Sequence, residues 1–331
     1  MILDNVDCSA LSSVKINNIM HIRIGTRGSK LALWQAYYVE KRLQAAGLST
    51  ELVIIETKGD KILDRALSKI GSKGVFTEEL EEGLLSGDID IAVHSAKDLQ
   101  SDLGEAFEIL AFSEREQVND VLVSHNTSLS LSQSEPFVIG TSSTRRIALL
   151  RHFYPNIKTV DMRGNLQTRL RKLEEGHCDA LLLAYAGVHR MEYDNKIAEI
   201  LSVDEFTPAV GQGSVAIECA VSLDPARKEA LRPLLNHLET SLRLRAERAF
   251  LKRLQGGCSI PLFCLATLVD GKIDMLGGIV SLDGGEMIRR TVVEGSPEHP
   301  ERVGTELAEQ LLEAGAGRIL ADIKAHQQKV P

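Results

Sequence analysis

The segment LQGGCSIPLFC, residues 254–264, places Cys258 directly after two glycines and before a second cysteine, Cys264. Gly256 and Gly257 let the backbone come close to another surface, and Pro261 stiffens the chain that follows. A thiol held in such a turn, at the edge of a domain and facing a neighbouring cleft, could be a nucleophile or a point of covalent attachment. A lone cysteine is more often a small buried apolar residue, so this segment alone leaves both interpretations open.

Arginines recur where predicted strands give way to helices, in GTRGSKLA, GTSSTRR and DMRGNLQTRL. Backbone N–H groups and hydroxyls at helix starts bind anions. Because the carboxyl ends of parallel strands face a common crevice, we expect these guanidiniums to converge on a ligand that carries carboxylates or phosphates. The sequence lacks both glycine-rich nucleotide motifs, which favours carboxylates. The polar residues concerned are Arg27, Ser29, Thr141, Ser142, Ser143, Arg145, Arg146, Arg163 and Arg169.

The segment HSAKDLQ follows another predicted buried strand and supplies Lys97 and Asp98. An aspartate among several cations stays ionised, so Asp98 suits the stabilisation of a developing cation better than the role of a neutral acid. An ordinary ion pair within a loop is the alternative. We interpret His94 as a packed strand end rather than a base.

Short apolar runs alternate with helical patterns from His21 onward, which predicts parallel sheets and an α/β fold. Two α/β domains would leave a cleft between them, and a small α+β domain would follow. The segment TPAVGQGSVAIECAV predicts a hinge and a strand that returns to the first sheet. The predicted units are a flexible extension (1–20), domain 1 (21–117 with 207–235, including a mobile loop at about 58–75), domain 2 (118–206) and domain 3 (236–331).

Composition narrows the possible partners. The chain of 331 residues is too long for one ordinary core. A formal net charge of −8 argues against nucleic acid or an anionic membrane surface as the main partner. Five scattered cysteines without metal-ligand spacing indicate reduced thiols in the cytoplasm and no metal site. Neither an export signal nor an apolar run long enough to span a membrane occurs.

Seven motifs, in order, together resemble the porphobilinogen deaminase family, whose members are also called hydroxymethylbilane synthases. The motifs are GTRGSKLALWQ, HSAKD, GTSSTRR, MRGNLQTRL, PAVGQG, NHLET and RAERAFLKRLQGGCSIP. The resemblance implies two domains like those of type II periplasmic binding proteins, with a cleft between them, plus a small α+β C-terminal domain. It also implies a monomeric transferase of tetrapyrrole (haem) biosynthesis that condenses four porphobilinogens, with release of ammonia, into the linear tetrapyrrole hydroxymethylbilane.

The resemblance further implies a dipyrromethane cofactor, one per chain, bound through a thioether to Cys258. Asp98 would be the catalytic residue, which contacts pyrrole N–H groups and stabilises the cation left when ammonia departs. The implied cofactor contacts, besides Cys258 and Asp98, are Lys97, Thr141, Ser143, Arg145 and Arg146. The implied substrate contacts are Arg27, Ser29, Arg163 and Arg169, with Lys73 and Phe76 in the mobile loop.

The sequence departs from the family pattern at two places beside these motifs. Leu99 and Gln100 follow Asp98 where the family more often has Val-Pro, and Thr144 stands where Leu is common. Two other classes of function compete with the resemblance. A non-catalytic anion receptor leaves Cys258 unexplained, and a cysteine-nucleophile hydrolase needs a base that neither His237 nor His299 is placed to supply.

Overall fold

A computed structural model of the chain describes residues 20–61, 77–257 and 259–329. The predicted N-terminal extension, except Met20, and most of the predicted mobile loop lie outside these residues. The predicted site residues Lys73, Phe76 and Cys258 also lie outside them.

The first sheet has the strand order β2-β1-β3-β10-β4. Strand β1 pairs in parallel with β2 and β3, whereas β10 lies antiparallel between β3 and β4. The sequence predicted that this strand returns to the first sheet. The strands are β1 His21–Thr26, β2 Ser49–Ile54, β3 Ile91–Ser95, β4 Phe107–Phe112 and β10 Val215–Ala220. The helices that accompany this sheet are α1 Lys30–Ala45, α2 Lys58–Lys61, α3 Glu78–Ser86 and α7 Pro225–Leu235.

Helix α1 shows why the sequence folds in this way. Ser29 caps its start, since the Ser29 Oγ accepts a hydrogen bond from the backbone N–H of Ala32 at 3.3 Å. Its buried residues recur at helical spacing and pack against the sheet. Gly47 follows the helix with φ +82°, a conformation that favours glycine.

The second sheet has the order β7-β6-β8-β5-β9. Its central strand β8 pairs in parallel with β6 and antiparallel with β5. The strands are β5 Asp120–Val123, β6 Val138–Gly140, β7 Lys158–Val160, β8 Ala180–Ala184 and β9 Ile197–Ile200. Its helices are α4 Thr144–Phe153, α5 Leu166–Glu174 and α6 Tyr185–Arg190.

The C-terminal part contains an antiparallel sheet, β11-β12-β13, covered by helices. Its elements are α8 Leu238–Arg253, β11 Leu262–Val269, β12 Lys272–Val280, β13 Met287–Gly295, α9 Pro300–Leu311 and α10 Gly317–Lys329. Phe250 and Leu307 are fully buried in its core. Gly304 lets α9 approach α8 closely, because a Cβ at Gly304 would lie 1.9 Å from the carbonyl oxygen of Ala246.

The predicted fold class is confirmed: two α/β domains are followed by a smaller α+β domain. The predicted domain limits stay predictions. Strands β4 and β9 and helix α7 were not predicted from the sequence. Among the described residues, no helix combines the length and the apolar character that crossing a membrane would require.

Candidate active site

Asp98 ends a short 3-10 turn, Ala96–Asp98, that directly follows β3. Its side chain is exposed, whereas Ala96 beside it is buried. The turn is tied to the segment before β10, because the N–H of Ala96 donates to the carbonyl of Ser214 at 3.0 Å. Gly211 lies against the same turn with φ +78°, and a Cβ there would lie 2.9 Å from the carbonyl carbon of Ala96. Backbone packing therefore fixes where Asp98 emerges.

A pocket at the carboxyl ends of β1 and β3 brings several predicted residues together. Arg27, Ser29 and Asp98 all line it, together with Gln35, Thr77 and His94. Gln35 donates from Nε2 to the hydroxyl of Ser95 at 2.8 Å, which links α1 to the end of β3. The structure thus brings Arg27 and Ser29 together with Asp98 at one edge of the first sheet.

A second polar cluster lies where β6 leads into α4. Ser143 caps α4 by accepting from the N–H of Arg146 at 3.5 Å, and the hydroxyl of Thr141 accepts from the N–H of Ser143 at 3.3 Å. The hydroxyl of Ser142 accepts from the N–H of Met162 at 3.1 Å, which links the segment before α4 to the loop after β7. Each hydroxyl oxygen accepts in these bonds, so its own proton can be donated to a ligand.

Arg145 and Arg146 are buried and share a carboxylate that the sequence analysis did not anticipate. Arg145 donates to Oδ2 of Asp120 at 2.7 Å, and Arg146 donates to Oδ1 through Nε at 3.1 Å and Nη2 at 2.7 Å. Burial raises the pKa of Asp120, but the charges of Arg145 and Arg146 outweigh it and hold that pKa well below its usual range. The two arginines are therefore fixed before any ligand arrives.

Lys97 connects this cluster to the first sheet. Its Nζ lies 3.5 Å from Oε1 of Gln212, whose Nε2 donates to Asp120 at 3.0 Å. Loss of hydration, and then repulsion from Arg146, lower the pKa of Lys97 from 10.5 to about 8. Lys97 is thus a cation that a carboxylate ligand would stabilise.

Arg163 and Arg169 lie at the start of α5. Arg169 donates from Nε to the carbonyl of Gly164 at 2.8 Å, and Arg163 donates from Nε to Asp161 at 3.2 Å. Burial, and then repulsion from Arg146, lower the pKa of Arg169 to about 10, while the charge of Asp98 acts in the opposite direction. Since Asp98 follows a strand of the first sheet and Arg169 belongs to the second domain, the two sheet edges face one site.

The turn around Cys258 is described on both sides of that residue. A Cβ at Gly256 would meet Leu251 and Leu262 of the same domain at 2.5 Å, whereas a Cβ at Gly257 would meet nothing within 4 Å. Gln327 of α10 donates to the carbonyl of Ser259 at 3.1 Å. The close approach is thus made by Gly256 within its own domain. Cys178, Cys219 and Cys264 are buried, which confirms that they are packed residues.

Comparison with known proteins gives matches along most of the chain. Residues 22–227 match the family model described as porphobilinogen deaminase, dipyromethane cofactor binding domain, and residues 241–313 match that of the C-terminal domain. A protein of Cytophaga hutchinsonii named porphobilinogen deaminase is 59% identical over 303 residues, covering 92% of this chain and 97% of that protein. The chain belongs to the porphobilinogen deaminase family.

Other comparisons extend this result. A porphobilinogen deaminase of Desulfosudis oleivorans is 52% identical over 309 residues, covering 93% of this chain and 99% of that protein. Among solved structures, the periplasmic VFT2 domain of Bordetella pertussis BvgS is similar, with 15% identity, a TM-score of 0.40 and coverage of 66% of this chain and 88% of that one.

The residues present fit the family's dipyrromethane cofactor, which carries several carboxylates. Among the described residues, the Nε atom of Arg145 is buried without a hydrogen-bond partner. Arg145 and Arg146 together also carry one positive charge more than Asp120 neutralises. Both observations favour an anionic group at this cluster.

The buried acids Asp120, Glu218 and Glu247 were not anticipated from the sequence. Asp120 opens the apolar strand DVLV, and an acid beside a buried strand is a usable signal because it requires a cationic partner. His237 accepts at Nδ1 from the N–H of Thr240 at 3.3 Å and so caps α8. This role explains its position without any catalytic task.

Proposed function

We propose that the protein is a hydroxymethylbilane synthase, a transferase that condenses four porphobilinogens into hydroxymethylbilane and releases ammonia at each addition. The observation that supports this most strongly is the set of cations around Asp98. Arg27 lines a pocket with Asp98, and the charge of Asp98 acts on both Lys97 and Arg169. Each porphobilinogen brings two carboxylates, so a growing chain needs such a cluster in a protein that is acidic overall.

Cys258 would hold the dipyrromethane through a thioether, and the buried cluster around Asp120 would hold its carboxylates. When bound, this group supplies a covalent primer, which makes each addition effectively intramolecular. Thr141 and Ser143 would donate their hydroxyl protons, and Lys97, Arg145 and Arg146 would donate N–H groups. Because Asp120 already orients both guanidiniums, little rearrangement is needed for binding.

Arg27 and Ser29 would bind the carboxylates of an incoming porphobilinogen at the carboxyl end of β1. Arg163 and Arg169 would bind carboxylates from the opposite side, at the start of α5. Lys73 and Phe76 would contact the substrate, as the family resemblance implies.

Asp98 would accept hydrogen bonds from pyrrole N–H groups and stabilise the cation left on the substrate when the C–N bond breaks. Its place at the end of a backbone-fixed turn suits this role, since a preorganised charge costs no rearrangement during the reaction. We further propose that the enzyme is a cytoplasmic monomer with the domain limits 21–117 with 207–235, 118–206 and 236–331.

Intact-mass measurement of the purified protein, followed by peptide mapping across residues 256–261, tests the proposal. The expected adduct on Cys258 equals two porphobilinogen units less two ammonias. Cys258→Ser should fold without the adduct, and Cys178→Ser, which changes a buried cysteine elsewhere, should keep it.

Turnover with added porphobilinogen completes the test. The wild-type protein should take up further units and release a linear tetrapyrrole, whereas Asp98→Ala should load poorly or stall. Full turnover by Cys258→Ser, or a wild-type protein that forms no adduct even with added porphobilinogen, would refute the assignment.

A further inference from the structure

His94 and Glu218 form a buried pair behind the pocket that contains Asp98. They project from the neighbouring strands β3 and β10, and their side chains are 4% and 0% exposed. The Nε2 atom of His94 lies 3.0 Å from Oε2 of Glu218. Among the described residues, neither oxygen of Glu218 has a hydrogen-bond partner of regular geometry. A buried carboxylate in this situation needs a proton shared with its neighbour.

Two other charged residues, Glu81 and Arg248, interact with this pair. Glu81 of α3 has a buried Oε1 atom without a hydrogen-bond partner, and burial together with the charge of Glu218 raises its pKa despite a hydrogen bond from Thr77. Arg248 of α8 also interacts with the charge of Glu218. Among the described residues, no group of three or more His, Cys, Asp or Glu is arranged to hold a metal ion. The cluster therefore suits a proton rather than a metal.

His94 is also in contact with the reaction site. Its ring lines the same pocket as Arg27, Ser29 and Asp98. In the part of the chain that the structure describes, Nε2 faces Glu218 and makes no hydrogen bond of regular geometry. A proton taken up at Nδ1 from the pocket can thus be matched by one passed from Nε2 to Glu218.

The proposed reaction needs such an acceptor. In each addition the C–N bond of the incoming porphobilinogen breaks and ammonia leaves with the electron pair. A C–C bond then forms to the free α-carbon of the acceptor pyrrole, whose hydrogen must leave as a proton. If Asp98 keeps its charge to stabilise the cation, another group has to hold this proton until ammonia takes it as ammonium.

We propose that His94 and Glu218 are a proton relay that receives the α-hydrogen of the acceptor pyrrole and returns it to ammonia. The inference rests on the proposed function. No net proton is gained by the protein, since the proton lost from carbon equals the one that completes the ammonium ion. From the second addition onward, the acceptor pyrrole is itself a unit that came from porphobilinogen.

The relay can be tested with porphobilinogen that carries deuterium on its free α-carbon. Cofactor-loaded wild type, Glu218→Gln and His94→Gln are mixed with labelled or unlabelled substrate, and successive additions are followed by rapid quenching and intact mass. We expect the variants to slow by roughly tenfold or more, since proton transfer to a positioned group contributes about 10²-fold or more. The isotope effect should be larger in the variants than in the wild type from the second addition onward. The first addition should show none, because its acceptor is unlabelled.

Glu108→Gln is the matched control, because Glu108 is an acid of the neighbouring strand β4 that binds Lys228 at 2.7 Å and does not line the pocket. It should leave rates and isotope effects unchanged. If Glu218→Gln is slow but shows the same isotope effect as the wild type, Glu218 has only a structural role and the proposed relay is overturned. Unchanged rates in both variants would also overturn it.

A measurement independent of turnover completes the test. In unloaded protein with isotopically labelled histidine, NMR should show a strongly downfield proton on Nε2 of His94, kept in Glu108→Gln and lost in Glu218→Gln. If the wild-type protein lacks this downfield signal, the proposal that His94 and Glu218 share a proton is overturned. If His94→Gln fails to fold, His94→Asn replaces it. A wild-type protein that adds no porphobilinogen would refute the proposed function. The NMR result tests only the interaction between His94 and Glu218.

Discussion

Arg115 and Glu247 form a bidentate ion pair with N–O distances of 2.6 and 3.1 Å, and their side chains are 1% and 0% exposed. Glu247 belongs to α8, and it also accepts from the backbone N–H groups of Gly211 and Ala266, each at 2.9 Å. Arg115 donates in addition to the carbonyl of Gln212 at 2.9 Å. One carboxylate thus joins the C-terminal domain to both segments that pass between the two α/β domains.

Glu247→Gln should therefore destabilise the whole protein. It leaves the buried charge of Arg115 without its partner, and breaking a buried pair in this way costs about 3–5 kcal/mol. Urea unfolding followed by circular dichroism measures the loss. Glu309→Gln is the control, because its pair with Arg253 is 45% exposed on both sides and should contribute less than about 1 kcal/mol. Equal losses of stability in the two variants would contradict the structural role assigned to the pair of Arg115 and Glu247.

Asp120→Asn should destabilise the unloaded protein by about 3–5 kcal/mol, because it leaves two adjacent buried guanidiniums uncompensated. Binding of porphobilinogen should then raise the melting temperature more than it does in the wild type, since the ligand's carboxylates replace the lost charge. Because the pKa of Asp120 in the folded protein lies below 3.8, its ionic stabilisation is complete above that pH and is lost on further acidification.

Asp90→Asn is the matched control for this experiment. Asp90 also binds two arginines, Arg23 at 3.0 Å and Arg227 at 2.8 Å, but these are 34% and 33% exposed. It should cost less stability and leave the response to porphobilinogen unchanged. A ligand response that grows equally in both variants would argue against a binding role for Arg145 and Arg146.

Binding of porphobilinogen should weaken as the pH rises through about 8, because Lys97 loses its charge there. Calorimetry on the Cys258→Ser protein, which should not turn over, measures the dissociation constant across this range. Lys97→Arg should still bind porphobilinogen at higher pH, and in Lys97→Met the affinity should no longer depend on pH in this range. Stability should change in the opposite sense: between the folded pKa of about 8 and the usual 10.5, the unfolded chain binds more protons, so the free energy of unfolding rises with pH.

Gly211→Ala should displace the turn that carries Asp98. The new Cβ would lie 2.9 Å from the carbonyl carbon of Ala96, and φ at this position is +78°. Gly47→Ala separates the two effects, since Gly47 has φ +82° but open space around it and should lose only about 1 kcal/mol. Thermal unfolding and cofactor loading report the difference. Equal behaviour of the two variants would show that the contact with Ala96 is unimportant.

Local sequence patterns predicted much of this fold. The alternation of apolar runs and helices identified β1, α1, β2 and β3, and the glycine-rich PAVGQG segment before β10 correctly predicted a return strand. Helix α7 was missed although Asp224 caps it and Pro225 opens it, because its short apolar face is broken by Pro233. Strand β4 was missed because it pairs with β10, which lies about a hundred residues away in the chain.

For the candidate site, the sequence predicted the kind of ligand from the residue types, but not how the side chains are held. Arginines at strand ends predicted an anion site, and the structure places Arg27 and Ser29 in one pocket with Asp98. The sequence could not indicate that Asp120 holds Arg145 and Arg146, because that contact depends on how β5 enters the second sheet. His94 was interpreted as a packed strand end. It is buried, but the acid it faces comes from β10, and only the strand pairing brings the two together.

The position of β10 between β3 and β4 also bears on how the chain folds during synthesis. The ribosome delivers the first four strands long before residues 215–220 emerge, so the place between β3 and the edge strand β4 stays unfilled while the second domain is made. The second domain, whose strands are consecutive in the chain, can close first. We therefore expect the inserted domain to be the earlier folding unit in the cell, and the half of the site that contains Asp98 to be the last part of the two α/β domains to acquire its native structure.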